Sequence, residues 1–588
     1  MKWLQTIVRW REKYIEQKQL ILILSLLTGI FSGLAAVFLK DLVYYTKSFL
    51  FSKMQIESAS PVYFALPLLG IFLTVLFVKY FVKENISHGI TRILSSISKK
   101  GSILRLHNTF TSLVGATLTV GFGGSVGLEA PIVLTGSSIG SNMGRALKLN
   151  YKSITLLIGC GAAGAIAGIF KAPIAAIVFC LEVLMLDLTL WSIVPLLISS
   201  VSATVVAYFL MGREVEFNFA LHNTFQMSNI PYYILLGVGC GLVSLYFTRG
   251  TLLIERYFRN IEGLYRKVLI GGVLLGMLIF IFPPLFGEGY DVLQQLLTGH
   301  AKDLMHHSFF YAFRDNTFIM LAFLGLVVIV KVIAMAVTTG SGGVGGVFAP
   351  SLYSGGIFGF VLASLANITG IVHLPEMNFS LAGMAGVMAG VMHAPLTAIF
   401  LIAEITNGYD LFIPLCVTAA ASYLTIKSFN QHSLYHIRLA QKGELITHHK
   451  DKAVLTLMKL DSVIETDLEP VHPDATLGEL VKIVAHSRRN IFPVVDERGM
   501  FMGVVLLNDI RDIMFNHDQY DTVTVLTVMN IPPAFIEPSE SMESVMEKFE
   551  STEAWNLPVV ENGKYLGFIS KSQIFSNYRK LLMDFSDD

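Results

Sequence analysis

One acidic residue, Glu129, lies inside an apolar, glycine-rich segment, GGSVGLEAP at 123–131. Pro131 follows it closely, and a proline at a first helical position marks a helix start. A helix that begins here directs free N–H groups and the positive end of its dipole at the glycine-rich loop, a position that suits an anion. In a soluble helix, Glu129 would be an ordinary acidic residue of a first turn. Within a membrane segment, an ionisable residue is a candidate functional residue.

Two segments of the chain repeat later in the same order. TVGFGGSVGLEAP at 119–131 matches TTGSGGVGGVFAP at 338–350, an offset of 219 positions, and GAIAGIFKAPIAAIVFCLE at 164–182 matches GVMAGVMHAPLTAIFLIAE at 386–404, an offset of 222. Small residues also recur wherever membrane helices pack closely, but the shared order favours a duplicated half. Transporters built from repeats place their substrate between the repeats, beside broken helices. The two helix starts are therefore predicted to point at one site.

The composition indicates that most of the elements positioning these segments lie in lipid. The 588 residues are 53% hydrophobic and 15% charged, against about 25% charged in soluble domains. Seven apolar runs approach the ~20 residues that span a bilayer as a helix: 20–38, 61–82, 189–211, 231–248, 267–284, 318–337 and 411–426. Apolar, glycine-rich stretches at 111–184 and 340–405 lie between them, where helices are not separable by composition. A polytopic all-α membrane protein is predicted.

Charge and cysteine content exclude several functions. The N-terminal segment, Met1–Gln19, holds five basic and two acidic residues, which suits the cytosolic side rather than a secretory signal. Lys plus Arg and Asp plus Glu both number 43, so no nucleic-acid footprint is present. The cysteines lack the spacing of a disulfide framework or a metal site, and we expect neither: Cys160, Cys180, Cys240 and Cys416.

A polar region with its own repeat follows about residue 446. PDATLGEL at 473–480 and FPVVDERGMFMGVV at 492–505 recur 65 positions later as PSESMESV and LPVVENGKYLGFI. Each unit is predicted as a capped helix, a strand, a turn, a strand and a closing helix. The predicted caps and turns are Thr476, Ser541, Arg498-Gly499 and Asn562-Gly563.

Three short motifs resemble those of the CLC chloride channel and transporter family. GLEAP at 127–131 is similar to its G-[KR]-E-G-P motif, GVFAP at 346–350 to its G-x-F-x-P motif, and SLYH at 433–436 to the segment of its pore tyrosine. The polar region resembles a tandem CBS pair. Their order and spacing extend the resemblance over nearly the whole chain.

The resemblance implies a domain organisation. A duplicated, inverted-repeat helical membrane domain would cover 1–445, with halves at about 20–215 and 230–440. A small α/β pair of cytosolic CBS domains would cover 446–588, with units at about 460–520 and 525–585. A homodimer with one anion pathway per subunit is expected.

The resemblance also implies roles for individual residues. Glu129 would be the gating glutamate, leaving an anion site when it is protonated or displaced by chloride. The N–H groups of Val347 and Phe348 and the hydroxyl of Tyr435 would coordinate the anion. The supporting loop positions are Gly127, Gly346, Pro131 and Pro350. Several partial positive charges suit a chloride ion that must later leave, whereas a directly bound Lys or Arg would hold it too tightly.

Three positions depart from the family pattern. The G-S-G-I-P motif aligns with 87–91, so His88 replaces the coordinating serine. His88 could donate to the anion and make flux pH-sensitive, or pack at a helix end away from it. Proton-coupled members of the family carry an internal glutamate immediately after the residue that Glu182 matches. This chain has Val183 at that position. Lys171 replaces an asparagine, either attracting anions at a pore mouth or snorkelling.

Because a valine relays no proton, the sequence resembles the passive channels of the family and predicts gated passive transport of chloride and similar small anions. Voltage-dependent gating is implied by the resemblance. A chloride/proton exchanger on the same fold is the alternative, since some exchangers also lack that glutamate. No enzyme activity is expected: the His-Glu-x-x-His motif of intramembrane metalloproteases is absent from the sequence. A magnesium transporter would need several acidic residues in the membrane. A bacterial inner membrane is the expected location.

The polar region carries two incomplete nucleotide signatures. CBS pairs often bind adenine nucleotides through a Gly-x-Ile/Val-Thr/Ser-x-x-Asp motif. The first unit keeps the acid as Asp509 without the hydroxyl, and the second keeps the hydroxyl as Ser570 without the acid. Adenine nucleotide binding and a purely structural role in dimerisation both stay open, and no cofactor is required.

Overall fold

The computed structural model divides into two compact units, Met1–Leu445 and Ile446–Asp588. The described residues are 16–53, 61–84, 86, 88–99, 101–186, 190–212, 217, 225–406, 408–441, 458, 460–487 and 489–577. Residues 1–15 of the predicted cytosolic segment, Ser87 of the predicted first anion motif and the predicted domain boundary at 445/446 lie outside them.

Helices make up most of the described part of the first unit. Its helices are α1 Gln17–Ser48, α2 Pro61–Phe77, α3 Gly89–Lys99, α4 Asn108–Gly121, α5 Glu129–Ala146, α6 Tyr151–Phe170, α7 Pro173–Glu182, α8 Leu190–Met211, α9 Ile230–Asn260, α10 Leu264–Ile281, α11 Tyr290–Leu297, α12 Thr317–Gly340, α13 Phe348–Ile368, α14 Glu376–Met392, α15 Pro395–Ile405, α16 Phe412–Phe429 and α17 Leu434–Ala440. Nine helical segments among the described residues have the length and apolar character to cross a bilayer. Helices satisfy their own backbone in lipid, and the predicted polytopic all-α fold is confirmed.

The glycine-rich stretches contain the central helices, packed at backbone contact. In the first half, a Cβ on Gly136 of α5 would lie 2.1 Å from the Gly161 carbonyl oxygen of α6. In the second half, a Cβ on Gly355 of α13 would lie 2.2 Å from the Gly383 carbonyl oxygen of α14. Only glycine allows such approach, so the two halves share one packing device at matched positions.

Each half also caps a helix of the other. The Glu182 carboxylate, at the end of α7, accepts from the N–H (2.7 Å) and hydroxyl (2.8 Å) of Thr397 in the first turn of α15. The Glu404 carboxylate of α15 accepts from the N–H of Ala175 in the first turn of α7, at 2.8 Å. An acidic group satisfies the free N–H groups of a helix start. These exchanged caps join the short helices α7 and α15.

The second unit contains the same arrangement twice. Its elements are α18 Leu477–His486, β1 Ile491–Val495, β2 Phe501–Leu506, α19 Leu507–Ile510, α20 Val525–Val528, α21 Met542–Thr552, β3 Asn556–Glu561, β4 Lys564–Ser570 and a closing helix at 571–577. β1 pairs with β2 and β3 with β4, both antiparallel, and both pairs change register at the matched steps Val494/Val495 and Val559/Val560. The predicted CBS-type repeat is confirmed.

The predicted caps and turns of this unit are also confirmed. Thr476 accepts from the Glu479 N–H (3.3 Å) in a reciprocal capping box, and Ser541 accepts from the Ser544 N–H (3.3 Å). The second turn contains positive φ angles at Asn562 and Gly563, 51° and 82°, a conformation that Asn and Gly tolerate best.

Candidate anion site

The two glycine-rich loops meet in a short antiparallel bridge. The Gly127 N–H donates to the Gly346 carbonyl (3.0 Å), and the Gly346 N–H donates to the Gly127 carbonyl (2.8 Å). Gly123 and Gly342, at matched positions of the loops, have φ angles of +96° and +107°, which side-chain-bearing residues rarely adopt. The bridge brings the starts of α5 and α13 together.

The helices begin two residues earlier than their prolines predicted. α5 starts at Glu129 and α13 at Phe348, so Pro131 and Pro350 occupy the third helical position rather than the first. A proline is tolerated anywhere in the first turn, because an N–H there has no intrahelical acceptor. The prolines located the helix starts but not their first residues.

The backbone N–H groups predicted to coordinate an anion lie at the start of α13. Val347 is the N-cap and Phe348 the first helical residue. The first intrahelical bond runs from the Ser351 N–H to the Val347 carbonyl, at 3.0 Å. The N–H groups of Val347 and Phe348 therefore precede the hydrogen-bonded ladder, at the positive end of the helix dipole.

The Glu129 side chain is fully buried at the start of α5. Its Oε1 accepts a hydrogen bond from the Tyr290 hydroxyl at 2.5 Å. Its Oε2 lies over the loop, where a Cβ on Gly127 would be 2.0 Å from it. Gly127 therefore leaves the space that the carboxylate fills. This need for space is a reason for a glycine here in addition to the conformation of the loop.

Tyr290 is a site residue that the sequence did not reveal. It starts α11, and its ring meets Phe170 and Phe217 edge-on, at centroid distances of 6.2 and 6.0 Å. The residue before it, Gly289, has a φ of +100°. This glycine is the one local feature of the sequence that indicates a special turn at Tyr290. Phe170 in turn stacks on Phe348 at 5.4 Å, which links this aromatic group to the start of α13.

Tyr435 is buried, and its hydroxyl has no hydrogen-bond partner in the described part of the chain. It is close enough to Glu129 for the two groups to interact electrostatically. Leaving a buried hydroxyl unsatisfied costs about 1–3 kcal/mol, so such a group is suited to a ligand. The structure thus places Tyr435 near Glu129, while the bridge between Gly127 and Gly346 places the start of α13 at Phe348 beside the start of α5.

His88 lies just before α3 and is half-buried. A Cβ on the next residue, Gly89, would be 2.4 Å from the Ala130 carbonyl oxygen, so this segment packs against the first turn of α5. His88 also interacts electrostatically with Glu255 of α9, which forms a buried ion pair with Arg438 of α17. Its surroundings therefore include the start of α5 and charged groups.

Lys171 and Val183, the other two residues that depart from the family pattern, both lie at the C-terminal ends of helices. Lys171 ends α6 in the left-handed conformation, and its ammonium donates to the Gly212 carbonyl at 2.8 Å, a favourable place for a cation near a helix C-terminus. Val183 is buried directly after α7. A valine there has no group that could pass a proton.

The nucleotide candidates of the second unit both have hydrogen bonds within the chain. The Asp509 carboxylate accepts from the Asn530 side chain (2.7 Å) and the Leu506 N–H (3.3 Å). The Ser570 hydroxyl donates to Glu465 at 2.7 Å. Both residues thus take part in hydrogen bonds that stabilise the local structure.

Comparison with known proteins shows to which families the two units are similar. The family described as voltage gated chloride channel matches residues 69–427, and the CBS domain matches residues 460–516 and 525–580. The "H(+)/Cl(-) exchange transporter ClcA" of Vibrio cholerae is 27% identical over 436 residues, covering 71% of this chain and 88% of that protein. "Chloride channel protein CLC-f" of Arabidopsis thaliana is 25% identical over 490 residues, covering 73% and 61%.

Solved structures show the same fold. A slow cyanobacterial Cl-/H+ antiporter superposes with a TM-score of 0.64 at 23% identity, covering 73% of this chain and 98% of the other. A eukaryotic CLC transporter covers 94% and 97%, with a TM-score of 0.57 at 18% identity. With the family match over most of the helical unit, the chain belongs to the voltage-gated chloride channel, or CLC, family and carries two C-terminal CBS domains.

Proposed function

We propose that this integral membrane anion transport protein exchanges chloride for protons, with Glu129 as the group that alternates between the two. Relatives at 27% identity are named H(+)/Cl(-) exchange transporters, and similar solved structures include Cl-/H+ and fluoride/proton antiporters. These comparisons support the alternative of the sequence analysis above its first prediction, a passive channel.

The observation that supports this function best is the buried Glu129 carboxylate at the helix start, close to the unpartnered hydroxyl of Tyr435. An ionised carboxylate and chloride compete for the same positive helix end. When protonated, the side chain loses its charge, leaves the site to the anion and carries a proton. The N–H groups of Val347 and Phe348 and the Tyr435 hydroxyl then bind the anion without a directly bound cation.

A gated passive chloride channel is the second candidate, and one observation favours it. Val183 occupies the position of the internal proton-relaying glutamate. Its buried aliphatic side chain passes no proton, so an exchanger would need another route from the inner solution to Glu129. Voltage-dependent gating belongs to this candidate.

Simultaneous recording of chloride and proton movement distinguishes the two functions. The purified protein is reconstituted in liposomes, a chloride gradient is imposed, and both ions are followed with ion-selective electrodes. Uphill proton movement driven by chloride supports exchange. Chloride efflux without proton movement establishes the channel, and no anion flux in either direction contradicts both.

We further propose a homodimer in a cell inner membrane, with the N-terminus and the CBS domains on the cytosolic side. The basic residues of the N-terminal segment support this orientation. Glutaraldehyde crosslinking in liposomes and protease accessibility from each side test both points. A monomer after crosslinking, or CBS domains cleaved only from outside, would contradict the proposal.

His88 is expected to contribute pH dependence of its own. An imidazole gains its charge near pH 6.5 when unperturbed, and His88 is near enough to interact electrostatically with Glu255, which pairs with Arg438. Replacing His88 by Ser should flatten the change of anion flux between about pH 5 and 8. The comparison is cleanest in a Glu129→Gln background, where the gating carboxylate no longer titrates. An unchanged profile would show that His88 only packs there.

The CBS pair is proposed to stabilise a dimer, with adenine nucleotide binding as the alternative. Asp509 and Ser570 already bond to Asn530 and Glu465, and a nucleotide would have to replace these contacts. Titrating ATP or AMP into the full-length protein should therefore give no heat and no thermal shift. Heat that disappears in both Asp509→Ala and Ser570→Ala would establish a nucleotide site instead.

A further inference from the structure

Lys331 is a fully buried lysine in the middle of α12. An ammonium group inside a membrane helix is expensive and is a functional candidate unless a carboxylate neutralises it. Among the described residues, Lys331 forms no ion pair with a carboxylate within 4.0 Å, although Glu288 and Lys47 are near enough to interact electrostatically. The family motifs identified in the sequence do not include this residue.

Neutral groups surround the Lys331 ammonium in three directions. Nζ donates to the Ser125 hydroxyl at 2.9 Å and to the Gly287 carbonyl at 3.0 Å. It also lies 4.6 Å from the centroid of the Tyr353 ring. The Ser125 hydroxyl donates a hydrogen bond to the Leu285 carbonyl at 2.7 Å. Each donor direction of the ammonium is satisfied, while its charge is not cancelled by direct contact.

These contacts join the two segments that meet at Glu129. Ser125 lies in the glycine-rich loop, two residues before the bridge at Gly127, and Gly287 lies three residues before Tyr290. Tyr290 donates to Glu129 from the other segment. Lys331 therefore binds both loops, two residues before Gly127 in one and three residues before Tyr290 in the other.

We propose that Lys331 is a positioning residue of the anion pathway and, when protonated, a positive charge near it. This rests on the proposed function, because it takes the group of Glu129, Phe348 and Tyr435 as the anion site. A charge in a low-dielectric interior acts over several ångströms. It draws an anion into the site without binding it directly, so the anion can still leave. It also holds the loops at the spacing that the Tyr290–Glu129 bond requires.

Chloride dependence of transport tests the charge. Anion flux is measured in liposomes over a range of chloride concentrations for the wild-type protein, Lys331→Met and Lys331→Arg. The methionine variant should raise the half-saturating chloride concentration about tenfold, with a smaller effect on the maximal rate. The arginine variant, which keeps the charge, should stay near wild type. Lys302→Met removes the charge of an exposed lysine paired with Asp315 and should leave the half-saturating concentration unchanged.

The outcomes separate this inference from the proposed function. Wild-type protein without anion flux contradicts the function itself. Flux with equal half-saturation in wild type and Lys331→Met overturns the role of Lys331 alone. If the methionine variant does not fold, Lys331→Gln, which keeps a hydrogen-bond donor, is the neutral variant. Two neutral variants that both fail to fold would assign Lys331 to stability and overturn the proposal as well.

Discussion

Glu129→Gln is expected to abolish proton movement and to remove the pH dependence of anion flux that titration of the gating carboxylate causes. Glutamine has the size of a protonated glutamate but neither gains nor loses a proton, so the side chain no longer competes with chloride as an anion. Flux near neutral pH should rise about tenfold, equivalent to 1.4 kcal/mol, if wild-type protein is mostly closed there. Liposome flux assays between about pH 4 and 8, with chloride and protons recorded together, measure both effects.

Tyr290→Phe is the matched control, because it keeps the carboxylate and removes only the hydroxyl that donates to Glu129 Oε1 at 2.5 Å. A hydrogen bond to a charged group contributes about 1.5–3 kcal/mol. Its loss should make the carboxylate leave the site more readily and increase flux at neutral pH, while pH dependence persists. Unchanged gating in Glu129→Gln, or pH dependence lost in Tyr290→Phe alone, would count against Glu129 as the gate.

The helix starts of the site could be predicted because local chemistry determines them. The segments around Glu129 and Phe348 carry glycines, an apolar context and a proline at fixed spacing, and their repetition predicted that the two would meet. Their first helical residues were predicted two positions late, since proline is tolerated throughout a first turn.

The partners of those residues could not be predicted in the same way. Tyr290 and Lys331 reach Glu129 and Ser125 from positions 161 and 206 residues away along the chain. No periodicity or short motif relates such distant positions, because tertiary packing alone brings them together. The exchanged caps of Glu182 and Glu404 are similar: the repeat was visible, but its reciprocal contact was not.

The sequence pattern also could not decide between a channel and an exchanger. The prediction of a passive channel depended on one residue, Val183, at which a relay is missing. A missing group at one position excludes one proton route only, whereas the proposed gate at Glu129 would serve both functions. Relatives named as exchangers therefore weigh more than that single substitution.

The buried ion pair between Glu255 and Arg438 is expected to control both stability and anion binding. Arg438 Nη2 lies 2.5 Å from Glu255 Oε1 and Nε 3.2 Å from Oε2, and both side chains are buried. Arg438 is three residues after Tyr435 on α17. The pair therefore anchors to α9 the short helix that carries the Tyr435 hydroxyl. Losing one partner of a buried pair leaves an uncompensated charge and costs about 3–5 kcal/mol.

Glu255→Gln should accordingly lower the free energy of unfolding in detergent by about 3–5 kcal/mol and raise the half-saturating chloride concentration. Replacing both partners, as Glu255→Leu with Arg438→Met, should recover most of the stability, since neither charge then remains buried. Chloride affinity should recover less, because no bidentate contact orients Tyr435. The exposed pair of Lys302 and Asp315 provides the control, as breaking it should change stability by at most about 1 kcal/mol. Equal losses in the single and double variants would mean that packing, rather than charge pairing, holds α17 in place.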